Sequence, residues 1–453
     1  MIDAFEARPY QSRAISAVRR LASQGVKRVC LVLPTGGGKT YTAGMLIASA
    51  LAKGTPALFL CHRVELIQQA ADSFRALGMS PSVICDAADG SYDAASLLQV
   101  ASIETLFARG DRPRAGLIIP DECHHVLATT WRAVTDSYPS AFVLGLTATP
   151  QRGDGSPLGD VFERIVVGAT YSELLADGKL VDCEVIAAPH AQKKLAFTPA
   201  EAYQRFARGK RAVIFCATVA EATEAAQNIP GAMPAHGGMN KAERKEALQA
   251  HVISSCALLT EGWNDPSREV GILARSCGHA GLFVQIAGRL LRPAPGKSKA
   301  LLIDLCGAVH HHGHPLEDRE YSLSGQAIKR AAGARSLWQC KACGWIAVTP
   351  PPNRICGNCD TPLPPPKALA VQANGRLIAV HWTCRECGHQ RGATPLSCPM
   401  CGAETQRGAR VASDTPEQRR AYYESMLAIE RARGYKRGWA AFRFKGKYGE
   451  MPR

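Results

Sequence analysis

Short apolar runs alternate with longer amphipathic stretches along most of this chain. Residues 29–33, 57–61, 98–101, 117–120 and 142–146 are almost entirely apolar. That is the mark of strands buried on both faces, not of strands with one wet face. Stretches at 41–51, from 62 and from 102 read as helices, and an opening helix runs from Arg8-Pro9-Tyr10-Gln11 to about residue 21. Strand and helix in alternation predict a parallel sheet with helices on both faces. A glycine- and charge-rich break at 151–157 and a helix at 171–177 follow, and the first domain ends near residue 180. The pattern then resumes, with strands at 183–187, 212–216, 256–259, 270–273 and 300–305 and helices at 219–228 and 240–250. The expected fold class is therefore α/β, with two such units in tandem over 1–180 and 181–335.

The run at 29–33 leads into Pro34-Thr35-Gly36-Gly37-Gly38-Lys39-Thr40, and the helix at 41–51 follows it. Strand, glycine loop and helix in that order make a phosphate cradle. Glycines let backbone N–H groups close on phosphate oxygens, and the positive end of the helix points at the same anion. Lys39 can reach the β- and γ-phosphates of ATP, and the Thr40 hydroxyl can hold Mg²⁺. The longer form of the pattern wants glycine at Leu33, which this chain lacks. The second unit has no such loop.

Asp121-Glu122-Cys123-His124-His125 sits at the end of the run at 117–120. Asp121 suits Mg²⁺, and Glu122 suits the activation of water. His124 reads as a relay to a neighbouring loop. Thr147-Ala148-Thr149-Pro150 ends the next strand, where short hydroxyl residues can bond the acidic pair. Gln11 can read an adenine edge, since its amide donates and accepts at once. Arg63 and Thr105 lie at strand ends, where phosphate-backbone contacts are expected. In the second unit, Arg289 and Arg292 are three apart on a helix and project from one face. They can stabilise charge on a transferring phosphoryl group.

Length and charge narrow the class. A chain of 453 residues with 46% hydrophobic composition supports several folded domains. Its net charge of +15 points to a polyanion, nucleic acid first. No apolar run approaches the ~20 residues of a membrane span, and the first turn is acidic, with no secretory signal. The expectation is a cytoplasmic protein with no membrane partner.

Taken together, R-P-Y-Q, P-T-G-G-G-K-T, H-R-x-E-L-x-x-Q, D-E-x-H, T-A-T-P, T-E-G-W and Q-x-x-G-R-x-x-R, spread over residues 8–293, resemble the motif series of superfamily 2 helicases. Within that group the chain resembles the compact DEAD/DEAH-box helicases of phages and prophages and the bacterial RadD-type repair helicases. The resemblance implies two RecA-like domains, with ATP in the cleft between them and nucleic acid across their top. It places Arg8, Gln11, Thr35, Gly36, Gly37, Gly38, Lys39, Thr40 and Gln285 at the nucleotide. Asp121 and Glu122 fall with Mg²⁺ and water, and Arg289 and Arg292 take the arginine-finger role. Arg63, Thr105 and the loop of Thr260 fall near the strand. Asn264 departs from the aspartate usual there, which bears on how this loop couples nucleotide to strand.

Of 17 cysteines, nine are scattered before residue 310 and read as reduced core thiols. The other eight form four C-x2-C knuckles: Cys340/Cys343, Cys356/Cys359, Cys384/Cys387 and Cys398/Cys401. Four thiolates at such spacing make a closed tetrahedral Zn²⁺ site. Two structural zinc ribbons are expected, over 336–366 and 378–405, with metal supplying folding energy. The spacing does not say whether knuckles pair consecutively or crosswise. His310 to His314 read as a polar domain exit. The tail 411–453 carries ten Arg/Lys against five Asp/Glu, with aromatics interleaved. It reads either as a single-strand contact surface or as a small helical cap with its aromatics packed inward.

The function expected is that of an ATP-dependent DNA helicase or translocase, with replication or repair proteins as partners. An RNA helicase and a non-catalytic zinc-ribbon clamp are the rivals. Backbone contacts alone do not settle the sugar, and the oligomeric state is not legible.

Overall fold

The computed structural model describes residues 7–362 except 87–91, 111, 126–128, 152–154, 188–196, 260–262, 326–328, 331–337, 341 and 348–354, and beyond them 370–373, 376–379, 382–383, 390–391 and scattered positions between 420 and 441. The chain divides into two compact units, residues 1–363 and 364–453.

The first sheet is built from β1 (Arg28–Val32), β2 (Ala57–Cys61), β3 (Ser82–Ile84), β4 (Leu98–Ser102), β5 (Leu117–Pro120), β6 (Phe142–Thr147) and β7 (Arg164–Val167). Among the described residues these seven strands lie in the order β3-β4-β2-β5-β6-β1-β7, every pair parallel. The connecting helices are α1 (Pro9–Ser23), α2 (Lys39–Leu51), α3 (Val64–Ala76), α4 (Ile103–Arg109), α5 (Thr129–Thr135) and α6 (Tyr171–Ala176). Apolar clusters cover both faces of this sheet, with Phe59 and Leu31 on one side and Leu58 and Val143 on the other. Burial on both sides is why the central strands read as unbroken apolar runs.

The second sheet uses β8 (Asp182–Ala187), β9 (Ala212–Cys216), β10 (Ala232–Ala235), β11 (Val252–Cys256), β12 (Val270–Leu273) and β13 (Lys299–Asp304), in the parallel order β10-β11-β9-β12-β13-β8. Its helices are α7 (Pro199–Phe206), α8 (Val219–Gln227), α9 (Lys241–Gln249), α10 (Ala280–Leu290) and α11 (Ala308–His312). Helices α6, α7, α8 and α9 each open on a capping box, Thr170/Glu173, Thr198/Glu201, Thr218/Glu221 and Asn240/Glu243. Each box satisfies two of the N–H groups that a helix start leaves unpaired.

One expected strand is misplaced. Only Cys256 of the run at 256–259 lies in a strand; residues 257–259 form a turn, and the strand is β11, which begins four residues earlier. Ser254 and Ser255 interrupt the apolar signal there, although both are buried; the Ser254 hydroxyl donates to the Ala222 carbonyl. Three strands of the two parallel arrays were not foreseen, β3, β7 and β10, and all three lie at sheet edges. β7 is half-exposed, and β10 contains Pro234, so neither shows a buried apolar run.

After α11 the chain returns to the first sheet. Asp318 accepts from the Ser172 N–H at the start of α6 (3.0 Å). Tyr321 and Leu323 pack on the first sheet's second apolar cluster, and the Leu323 carbonyl accepts from Gly159 N–H (2.8 Å). Within this return, β14 (Arg319–Glu320) pairs with β15 (Lys329–Arg330). The hairpin of β16 (Trp338–Gln339) and β17 (Trp345–Ala347) then extends the second sheet, with β17 antiparallel to β8. In the second unit, β18 (Ala370–Ala373) pairs with β19 (Arg376–Ala379), and β20 (Trp382–Thr383) with β21 (Gln390–Arg391). No helix of the described residues is long and apolar enough to cross a membrane.

Candidate nucleotide site between the two sheets

The glycine loop leaves β1 and enters α2 as its residue pattern requires. Gly36 and Gly38 have φ of +88° and +77°, a region closed to most L-residues. A β-carbon on Gly38 would stand 2.6 Å from Gln11 Nε2. Leu33, where the longer pattern has glycine, is fully buried. Helix α1 supports the loop from below. Tyr10 Oη and Gln11 Nε2 both donate to the Gly37 carbonyl, at 3.2 and 3.4 Å. Gln11 Oε1 accepts from Arg8 N–H (3.1 Å). The Gln11 amide, expected to face adenine, is thus engaged under the loop and does not line the cavity, whereas Arg8 does.

That cavity measures about 640 Å³. Thr35, Gly36, Gly38, Lys39, Thr40, Asp121 and Glu122 line one side, and Trp263, Asn264, Arg289 and Arg292 line the other. Asp121 follows β5, and its Oδ1 accepts from Glu122 N–H (3.0 Å). Burial, and then the neighbouring Glu122 charge, push the Asp121 carboxyl up to about 6, and Lys39 draws it partly back. Glu122 itself has φ of +49°, a strained conformation for a side-chain-bearing residue. Its Oε1 lies 3.7 Å from Lys39 Nζ and its Oε2 3.5 Å from His124 Nδ1. His124 Nδ1 is also 3.2 Å from Thr147 Oγ1, which donates in turn to the Thr149 carbonyl (3.0 Å). The acidic pair is therefore wired to the Thr147–Thr149 turn. The Thr40 hydroxyl and Asp121 carboxylate offer hard oxygen donors of the kind Mg²⁺ takes.

Helix α10 brings Arg289 in its last turn, whereas Arg292, expected on the same helix, lies two residues past its end at Leu290. A β-carbon on Gly288 would stand 2.7 Å from Thr35 Cβ, so α10 lies directly on the phosphate loop. Arg289 donates to the Trp263 carbonyl (2.7 Å), and Arg292 to Asn264 Oδ1. Burial and the adjacent Arg289 pull the Arg292 pKa down to about 10. Gln285 is buried on α10 and does not line the cavity.

The residues expected near a strand are less clearly assembled. Arg63 occupies the N-cap of α3. Thr105 is buried, and its hydroxyl accepts from Asp86 N–H (3.3 Å). Thr260 lies outside the described residues. Sequence reasoning passed over Lys179 in the cavity wall, Gly288 and Lys297. Only Gly288, inside Q-x-x-G-R-x-x-R, carried a signal.

Cys340, Cys343, Cys356 and Cys359 bring their sulfurs within 4.8 Å of one another, so these knuckles pair consecutively. Cys340 and Cys359 are 3.7 Å apart, Cys343 and Cys356 3.6 Å. A tetrahedral ion with sulfur ligands at ~2.3 Å sets sulfurs about 3.8 Å apart, so the set could hold such an ion. The cluster is joined to the second sheet, since the Gly344 carbonyl accepts from Ala187 N–H at the end of β8 (3.0 Å). Cys384, Cys387, Cys398 and Cys401 lie outside the described residues, as do most of the tail aromatics. His312 and His314 rings bond the carbonyls of Cys277 (2.8 Å) and Cys183 (3.1 Å).

Residues 4–152 match the family described as type III restriction enzyme, res subunit. The chain is 25% identical to a 51.5 kDa protein of a Lactococcus phage, over 72% of this chain and 76% of that one. It is 25% identical to the putative mitochondrial ATP-dependent helicase irc3 of Schizosaccharomyces pombe, over 68% of this chain and 58% of the relative. Over a shorter stretch, 34% of this chain and 33% of the relative, it is 31% identical to the DNA 3'-5' translocase XPB2 of Sulfurisphaera tokodaii. The fold is similar to a fragment of a putative HsdR subunit of a type I restriction enzyme from Vibrio vulnificus, with a TM-score of 0.55 at 22% identity, covering 71% of this chain and 67% of that one. Two parallel α/β layers in tandem, carrying the motif series read from the sequence, make this chain similar to the ATP-dependent helicases of superfamily 2.

Proposed function

We propose that the chain is an ATP-dependent DNA helicase or translocase that hydrolyses ATP between its two sheets. One observation carries this reading: Lys39, the Asp121–Glu122 pair, Arg289 and Arg292 line a single cavity. Loop N–H groups and Lys39 would hold the phosphates, and Thr40 with Asp121 would hold Mg²⁺, which neutralises phosphate charge when bound. Glu122, turned toward Lys39 and His124, would take the proton of the attacking water. Arg289 and Arg292 would leave the 263–264 loop for the γ-phosphate. Their exchange between loop and phosphate ties the second sheet to the nucleotide.

The reading divides the chain into motor domains at 1–180 and 181–335, zinc ribbons at 336–366 and 378–405, and a basic tail at 411–453. Zn²⁺ in the Cys340–Cys359 cluster is supported by its sulfur spacing. Arg63, Thr105 and Thr260 are proposed to lie along the strand. Nucleic acid is favoured by the +15 charge, and DNA by the relative described as a DNA translocase. A cytoplasmic setting is supported by thiols that are not joined in disulfides among the described residues.

The test is steady-state ATP turnover alone and with single-stranded DNA, duplex DNA and RNA, with Lys39→Ala as blank. Stimulation by DNA is expected. Stimulation by RNA alone would move the protein to the RNA-helicase class, and no turnover in any condition would leave a non-catalytic clamp.

A further inference from the structure

We propose that Lys297 is a positioning residue for the cleft arginines: its ammonium clamps the end of α10 to the loop on which Arg289 and Arg292 rest. Lys297 is 9% exposed. Its Nζ donates to the carbonyls of Leu290 (2.6 Å), Arg268 (2.7 Å) and Pro266 (2.9 Å). An ammonium has three protons, and all three are used.

The acceptors belong to two elements. Leu290 ends α10, between Arg289 and Arg292, where helix carbonyls lack internal partners and carry the negative end of the dipole. Pro266 and Arg268 belong to the loop whose Trp263 and Asn264 receive the two arginines. That loop is itself riveted to the second sheet. The fully buried Arg268 guanidinium bonds Asp265 Oδ2 (2.7 Å), the His251 carbonyl (2.7 Å) and the Leu248 carbonyl (3.2 Å). Lys297 is thus the link from this fixed floor to the helix end. When the arginines exchange the loop for phosphate, their own bonds to it are lost, and the Lys297 bonds keep α10 in register.

The groups facing the amine are Asp265 and Glu269 on the loop side, Cys183 on β8 and Arg292 beyond α10. Burial outweighs the acidic neighbours and pulls Lys297 down to about 8. Above that pH the neutral amine has two protons for three carbonyls, and one carbonyl loses its donor. An arginine at this position would stay charged.

The inference rests on the ATPase reading, and the experiment separates the two. Wild type, Lys297→Met, Lys297→Arg, Arg292→Ala and the Lys297→Met/Arg292→Ala double variant are compared for DNA-stimulated kcat, binding of a fluorescent ADP analogue and thermal melting. Lys297→Met should lower kcat at least tenfold while ADP affinity stays within twofold. Because Lys297 acts through Arg292, the double variant should turn over no more slowly than Arg292→Ala, within twofold. Wild-type kcat should fall above about pH 8, and Lys297→Arg should restore turnover and remove that fall. Should Lys297→Met fail to fold, the two pH profiles decide alone. Multiplying effects in the double variant, or an alkaline fall shared by wild type and Lys297→Arg, would overturn the proposal. An active wild type matched by Lys297→Met would overturn this inference only, and a wild type without turnover would overturn both readings.

Discussion

Gly288 and Thr35 touch across the cleft so closely that no side chain fits between them: a β-carbon on Gly288 would meet Thr35 Cβ at 2.7 Å and Oγ1 at 2.9 Å. Gly288→Ala should therefore push α10, and both arginines, off the phosphate loop. A displacement of about 1 Å can cost ~100-fold in rate, so a 10- to 100-fold loss of kcat is expected. Alanine is the better helix former by about 1 kcal/mol, but overpacking costs about 1–3 kcal/mol, so the melting temperature should fall by no more than a few degrees. ATP turnover and thermal melts on the same preparation check both.

The Asp121 carboxyl titrates near pH 6, because burial and Glu122 raise it. Its folded pKa lies above the unfolded value, so its contribution to stability is full below about pH 4 and is lost as pH rises through 6. Metal binding needs the ionised form. ATP turnover should thus fall on the acid side with a midpoint near 6, and raising Mg²⁺ should move that midpoint down. Asp121→Asn should abolish turnover yet raise the melting temperature by a few degrees, since it removes a buried charge.

Asn264 holds Arg292 through a neutral acceptor. An aspartate there would meet the guanidinium with a full charge and retain it on the loop. Asn264→Asp should lower turnover without nucleic acid several-fold while leaving DNA-stimulated turnover within about threefold. The ratio of stimulated to basal rate is the measurement.

The Cys340–Cys359 cluster is fused to β8, and the residues just before β8 reach the nucleotide cavity. Lys179 lines that cavity, and Leu180 lies against Gly36. Metal analysis should find two zinc ions per chain, and one in Cys356→Ser. That variant should melt earlier and lose several-fold in kcat/KM for ATP. An independent zinc module would leave the ATPase untouched.

The parts most legible in the sequence are those whose chemistry is local. The glycine loop, the acidic pair and the arginines at 289 and 292 each announce themselves within a few residues, and the structure gathers them in one cavity. Central strands are legible because burial on two faces makes them continuously apolar. Edge strands β3, β7 and β10 lack that signature, and the serines of β11 hid a buried strand behind polar letters. Gln11 and Thr105 carry the expected residue types, but their side chains bond the backbone at Gly37 and Asp86. Lys297 is invisible for a different reason. Its meaning lies in three carbonyls, and a carbonyl is the same whatever residue bears it.

The return of the chain from α11 to the first sheet, through Asp318, Tyr321 and Leu323, adds a tie between the two layers to those at Gly288–Thr35 and Glu65–Arg244. A further tie is the crossing at Leu180 and Val181, where Val181 N–H meets the Leu291 carbonyl at 2.8 Å. A body pinned at one point swings in any direction; pinned at two, it turns about the line that joins them. Ties set this far apart along the chain narrow the directions in which the two layers can part.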